Sequence, residues 1–151
     1  MTSDSDDPFR DRPPIEDDDA IAVLESADLD ILGRMPWSSN GTFLCDLDHP
    51  DTPLQAIYKP LETERPLWDF PEGLYQREVA SYRLSRHLGW DLVPPTIFRD
   101  GPLGIGSLQL AIPARFDEHY FHLVEDKQYH LSLIHISDPR DKRQSRMPSS
   151  A

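Results

Sequence analysis

Leu54-Gln-Ala-Ile-Tyr-Lys59, closed by Pro60, is the stretch on which the reading of this chain turns. Its β-branched and aromatic residues predict a strand, and the proline ends it by removing an amide donor. Strand side chains alternate, so Ile57 and Lys59 share one face, an apolar residue two positions before a cation. Nineteen positions beyond Lys59 lies Glu78, within a helical stretch from Glu72 to Leu88. There Leu74, Val79, Ala80, Leu84 and Leu88 form an apolar stripe. Pro71, after Asp69 or Phe70, suits the first turn of that helix, and Gly89 suits the position just past its end. Glu78 stands one turn from Leu74 and one from Tyr82, close to the stripe, where a carboxylate calls for a cationic partner. Lys59 is the candidate. Arg77 or Arg83 offers a local surface pair instead, and an isolated strand lysine commonly just reaches into solvent.

Working outward, Thr42-Phe-Leu-Cys-Asp-Leu47 is a second run of strand formers, and His49-Pro-Asp-Thr-Pro53 is turn chemistry. The two strands are expected to pair as an antiparallel hairpin. Val93 to Phe98 and Gly106 to Ile112 read as two further strands around an Arg-Asp-Gly turn. Upstream, Ala20, Ile21, Val23, Leu24, Ala27, Leu29, Ile31 and Leu32 fit a short helix with a break near Asp28, its start favoured by Asp17 to Asp19. Arg115 to Tyr129 reads as the start of another helix. The order helix–β–β–α–β–β predicts an α+β fold, a small antiparallel sheet with one major helix.

The ends differ from this middle. The 151 residues carry a net charge of −12, and residues 1–30 hold eleven acids against Arg10 and Arg12, a subtotal of −9. Such a leader repels nucleic acid and anionic lipid, so neither is an expected partner. Residues 1–18, rich in Asp, Pro and Ser, are expected to be a disordered acidic leader. Residues 19–130 form the expected globular part, and 131–151 an expected disordered tail. No apolar run approaches the ~18 residues of a membrane span, and the N-terminus lacks a basic region before an apolar one. A cytoplasmic location follows as the expectation. The single cysteine, Cys45, excludes an internal disulfide and reads as a small buried strand residue.

Three other features bear on chemistry. Ser38-Ser-Asn-Gly-Thr42 precedes the first strand of the hairpin, and amides and hydroxyls in such a turn (Ser38, Ser39, Asn40, Gly41, Thr42) can cradle phosphates. It matches no glycine-rich phosphate signature, and an ordinary Asn-Gly turn is the plainer reading. His119 and His122, three apart beside Asp117 and Glu118, are too few for a metal site, so no metal ligands are expected. Trp37, Trp68 and Trp90 each border a turn and are expected to close the edge of the core.

A strand lysine held by a helix glutamate is how kinase-like folds fix a cation beside the α- and β-phosphates of ATP. The chain also resembles, from about Leu32 to Val124, an actinobacterial family of small proteins related to phosphatidylinositol 3- and 4-kinases. The resemblance rests on Met35-Pro-Trp-Ser-Ser-Asn-Gly-Thr-Phe-Leu44, Ile57-Tyr-Lys-Pro60, Glu64-Arg-Pro-Leu-Trp-Asp-Phe-Pro71, Arg77-Glu-Val-Ala-Ser-Tyr82, Leu88-Gly-Trp-Asp-Leu-Val-Pro-Pro-Thr96 and Arg99-Asp-Gly-Pro-Leu-Gly104. It implies the N-terminal lobe of a protein-kinase-like fold with the C-terminal lobe missing. Lys59 would be the phosphate-binding lysine, Glu78 its partner, Ile57 an adenine-facing residue, Ser38 to Thr42 the nucleotide-covering turn, and Leu108 to Ile112 the approach to the adenine. ATP with magnesium is the implied cofactor of the full-length relative. The acceptor is unassigned.

The resemblance stops near His130, before any catalytic loop or magnesium site. Leu131-Ser-Leu-Ile-His-Ile-Ser137 matches one-frame translation of a transposase mosaic-end adapter, and the tail from Asp138 to Ala151 carries a net +2. The expectation is an inactive fragment of an ATP-dependent phosphotransferase with a foreign C-terminus. The alternative from another class is a non-catalytic pseudokinase-type scaffolding module.

Overall fold

A computed structural model describes residues 9–36, 38–69 and 71–113. The chain divides after Pro113 into two compact units, and the described residues all belong to the first. The helix expected over 115–129, the histidine pair and the tail after His130 lie outside the described residues, as does Trp37.

The order of elements is α1 (Asp17–Ser26), β1 (Asp28–Arg34), β2 (Phe43–Asp48), β3 (Leu54–Pro60), a single 3-10 turn (Leu61–Thr63), α2 (Leu74–His87), β4 (Thr96–Gly101) and β5 (Gly104–Leu110). The strands form one antiparallel sheet in the order β1-β2-β3-β5-β4. The fold is therefore α+β, five antiparallel strands with two helices. The hairpin of β2 and β3 forms in the register Phe43 to Tyr58 through Leu47 to Leu54.

Two expectations about the strands are corrected. Asp28 to Arg34 does not continue a helix but pairs with β2 as a first strand, with an irregularity between Ile31 and Gly33. Asp-Leu-Asp-Ile alternates with period two, which suits a half-covered edge strand: Leu29 and Ile31 pack towards the core, while Asp28, Asp30 and Leu32 are exposed. The second hairpin does not turn at Arg99-Asp-Gly101, which belongs to β4. It turns at Pro102-Leu103, between the paired Gly101 and Gly104. Proline presets the turn, and Gly104 takes φ +88°.

One face of the sheet carries the core. Leu54, Ala56 and Tyr58 of β3 join Cys45 and Leu47 of β2 and Leu108 and Leu110 of β5, and α1 covers them with Ala20, Val23, Leu24 and Ala27. Arg99 of β4 fastens this helix, donating to the carbonyls of Leu24, Glu25 and Ala27 where the helix dipole favours a cation. Residues 9–16, read from composition as part of the leader, are tied to the sheet. The Arg10 amide bonds Gln55, its guanidinium bonds Asp46, and Arg12 bonds the Ala111 carbonyl.

Helix α2 starts later than Pro71. Gly73, at φ +98°, precedes it and has no side chain to cap it. Glu64 caps it instead, its carboxylate accepting from the amides of Gly73, Leu74 and Tyr75 at 2.8–3.0 Å. The other end closes as expected around Gly89, at φ +65°: Gly89 bonds the Arg86 carbonyl and Trp90 that of Ser85. The buried face differs from the predicted stripe. Val79, Tyr82 and Ser85 are buried, whereas Leu84 and Leu88 are exposed. Tyr82 and Arg86 turn towards α1, the tyrosine hydroxyl bonding Asp17 and the guanidinium Asp18. Polar links across helices thus decided the rotation of α2, which an apolar pattern cannot report.

Candidate phosphate-binding site

Strand alternation sends Tyr58 into the core and Lys59 to the opposite face, beside the half-buried Ile57. There α2 brings Glu78 within reach, and Lys59 Nζ donates to Glu78 Oε1 at 2.8 Å. The side chains keep 31% and 38% of their surface exposed, so the pair is anchored yet open to a ligand. Arg83, one of the arginines that could compete for Glu78, stacks over Phe98 at 5.4 Å. Directly across from Lys59 is Ser107 of β5, a buried residue, and next to it Gly106 lies close against the β3 backbone.

The turn from Met35 to Thr42 joins β1 to β2. Because Phe43 pairs with Tyr58, the turn lies at the same end of the sheet as Lys59 and Pro60. Its internal bonds are Met35 N to the Thr42 carbonyl and Ser38 Oγ with Thr42 Oγ1 at 2.7 Å. Its external bonds run to the segment after β3. Gly41 donates to the Thr63 carbonyl, Thr63 Oγ1 reaches back to the Gly41 carbonyl at 2.9 Å, and Asn40 Oδ1 accepts from the Arg65 amide at 3.1 Å. A Cβ on Gly41 would fall 2.2 Å from that of Thr63, so the close approach requires glycine. The turn expected to present Gly41 and Asn40 to phosphate thus commits the Gly41 amide and the Asn40 oxygen to its own chain. What it leaves exposed is Ser39.

The sequence gives neither Thr63 nor Glu64 a role at this site. Glu64 stands nine residues before Gly73, outside the range of any local capping pattern, and only the path of the loop joins them. The tryptophans also differ from expectation. Trp68 is 97% exposed and Trp90 54%, because each lies in a loop that leads away from the core face. Cys45 is fully buried in β2, and burial, then the charge of Asp46, pushes its thiol up to about 12.

A cleft of about 690 Å³ lies elsewhere, between residues 11–16, α1 and the β2–β3 loop. Its lining includes Asp11, Glu16, Asp19 and Asp51, carboxylates that repel phosphate, and it contains neither Lys59 nor Glu78. Lys59 and Glu78 lie outside that cleft, on the half-open opposite side of the sheet. Among the described residues no group of three His, Cys, Asp or Glu side chains could hold a metal ion, and no helix is long and apolar enough to cross a membrane.

Comparison with known proteins gives one relative of note. The chain is similar to Protein Rv2133c of Mycobacterium tuberculosis (strain ATCC 25618 / H37Rv), 54% identical over 94 residues. The match takes in 62% of this chain but 34% of the relative, so the chain spans about a third of that protein's length. No family model matches, and no solved structure matches. The resemblance to a family related to phosphatidylinositol 3- and 4-kinases is corrected accordingly. The relative's name states no kinase, and no such family is indicated by any match. Short words such as Ile-Tyr-Lys-Pro are too brief to define a family against these results.

Proposed function

We propose that this chain supplies the phosphate-binding lobe of an ATP-dependent phosphotransferase, a lobe of the protein-kinase-like N-terminal kind. The carrying observation is the 2.8 Å bond between Lys59 on the third strand and Glu78 on the helix that follows it. In kinases a lysine on the third strand and a glutamate on the next helix hold the α- and β-phosphates, under a loop between earlier strands. Here the β1–β2 turn stands in that loop's place in the chain. Lys59 would neutralise phosphate charge, Glu78 would hold the ammonium in position, and Ile57 would floor the base. Magnesium bound with ATP would offset phosphate charge; among the described residues no group of three His, Cys, Asp or Glu side chains could hold it. Phosphoryl transfer depends mainly on positioning and charge, and the acceptor is not assigned by fold.

Titration calorimetry with Mg-ATP tests this. We expect binding that falls at least about tenfold in Lys59→Met, while the melting temperature changes little, because a pair this exposed stabilises by only about 0–1 kcal/mol. ATP affinity equal in both proteins would reject the role of Lys59. One observation favours the non-catalytic alternative: Trp68, beside the exposed Leu67, stands almost wholly in solvent, as an anchor for a protein partner would. That module need not bind nucleotide, so absence of any heat with the wild-type chain would select it.

A further inference from the structure

The segment directly after Lys59-Pro60 joins the β1–β2 turn and the start of α2. Thr63 and Arg65 hold the β1–β2 turn through Gly41 and Asn40, and Glu64, between them, holds the start of α2 through three amides. Glu64 has extended backbone, φ −68° and ψ 137°, so its side chain points away from those of its neighbours. The Glu64 carboxylate reaches the helix, while the Thr63 hydroxyl and the Arg65 backbone amide meet the turn. The helix has no local cap to substitute, since Gly73 carries no side chain. From the capped turn the helix runs one turn on to Glu78, and Tyr75 sets its height on the sheet by meeting Phe98 edge-on at 5.8 Å.

We propose that Thr63 and Glu64 are positioning residues: they link the β1–β2 turn to α2 and hold Glu78 in its 2.8 Å register with Lys59, so that a phosphate chain bound under the turn steadies that pair. The clause about phosphate rests on the nucleotide reading above; the link itself does not. Displacing the turn pulls on the Thr63 carbonyl and on the backbone of Glu64. The carboxylate then carries that pull to the amides of residues 73–75. An ordinary cap would stabilise α2 but would leave the Lys59–Glu78 geometry of the folded protein unchanged.

The test uses the full chain with ¹⁵N-labelled lysine. The Lys59 Nζ signal, assigned by its loss in Lys59→Met, is followed in Glu64→Ala, Glu64→Gln and Glu78→Gln. Amide exchange is followed over residues 38–43 and 73–78. Glu64→Ala should move the Lys59 signal to its position in Glu78→Gln and speed exchange at residues 73–75 by about tenfold. Glu64→Gln, which keeps one acceptor oxygen, should lie between Glu64→Ala and wild type. A Val23→Ala protein, loosened elsewhere to a similar melting temperature, should leave the Lys59 signal in place. An unmoved Lys59 signal in folded Glu64→Ala overturns the proposal. With Mg-ATP added, wild type should slow exchange in both segments and Glu64→Ala, which lacks the carboxylate that joins residues 73–75, in the first alone. Slowing of both in Glu64→Ala also overturns it. Slowing of neither in wild type removes the nucleotide reading, and the Lys59 signal then decides the positioning role by itself.

Discussion

Tyr58 joins the two halves of the molecule at one residue. Its ring is fully buried in the core beneath α1, and its hydroxyl reaches the rim to donate to the carbonyl of Gly104 in the β4–β5 turn. Burial raises its pKa above the ordinary 10.0, an effect only partly opposed by hydrogen bonds to nearby backbone. The protonated phenol is therefore favoured in the folded state. Its contribution to stability is full below pH 10 and is lost as pH rises through the folded-state value. We expect unfolding free energy to fall above pH 10 with a shallower slope in Tyr58→Phe, followed by urea denaturation at pH 9 to 11. Tyr82 is shifted upward too, by burial first, so part of the slope should persist. Identical slopes in the two proteins would remove Tyr58 as the source. At neutral pH the same substitution should cost about 1 kcal/mol, a single hydrogen bond with its acceptor left behind. Lys59, one residue on, was legible from sequence because strand alternation alone decides which face it takes. Its partner was legible because Glu78 is a charged residue near the inner edge of a helix. The Thr63–Gly41 contact was not, since it depends on where a loop of no regular pattern passes.

Among the elements, β3 and β5 are held closest. A Cβ on Gly106 would lie 2.3 Å from the Lys59 carbonyl oxygen and 2.7 Å from Pro60 Cα, and neither is a flexible side-chain end. Gly106→Ala must therefore part the strands beside Lys59, at a cost we place at about 3 kcal/mol, the upper end of ordinary overpacking. Gly33→Ala, in the open edge strand with nothing within 4 Å of the added carbon, should change stability by less than about 0.5 kcal/mol. Thermal melts of the two variants decide this, and equal losses would contradict the close approach. The element-level reading failed where tertiary links outweighed local pattern. β1 reads as helix because its leucines and isoleucine follow directly on those of α1, although Asp28-Leu-Asp-Ile already alternates. The rotation of α2 was missed because Tyr82 and Arg86 answer to Asp17 and Asp18 on another helix.

At the scale of the whole molecule, the core has one lid. Val23 and Leu24 of α1 are at most 5% exposed, and they, with Ala20 and Ala27, cover Leu47, Leu54, Tyr58, Leu108 and Leu110. Burying a valine and a leucine stabilises by about 1.5–3 kcal/mol each, before the alanines are counted. A domain of this size holds a total margin of only about 5–15 kcal/mol. Removing α1 would also strip Arg99 of the carbonyls of Leu24, Glu25 and Ala27 and Arg86 of Asp18. The acidic helix α1 is thus a structural part of the sheet's covering, whatever its charge suggests. Since the compact unit ends at Pro113, we expect a polypeptide of residues 1–113 to melt cooperatively and one of residues 28–113 to show no cooperative transition. Circular dichroism melts of the two would check this. A sharp transition in the 28–113 polypeptide would mean that the sheet and α2 hold themselves together, and that α1 is an addition to a lobe already complete without it.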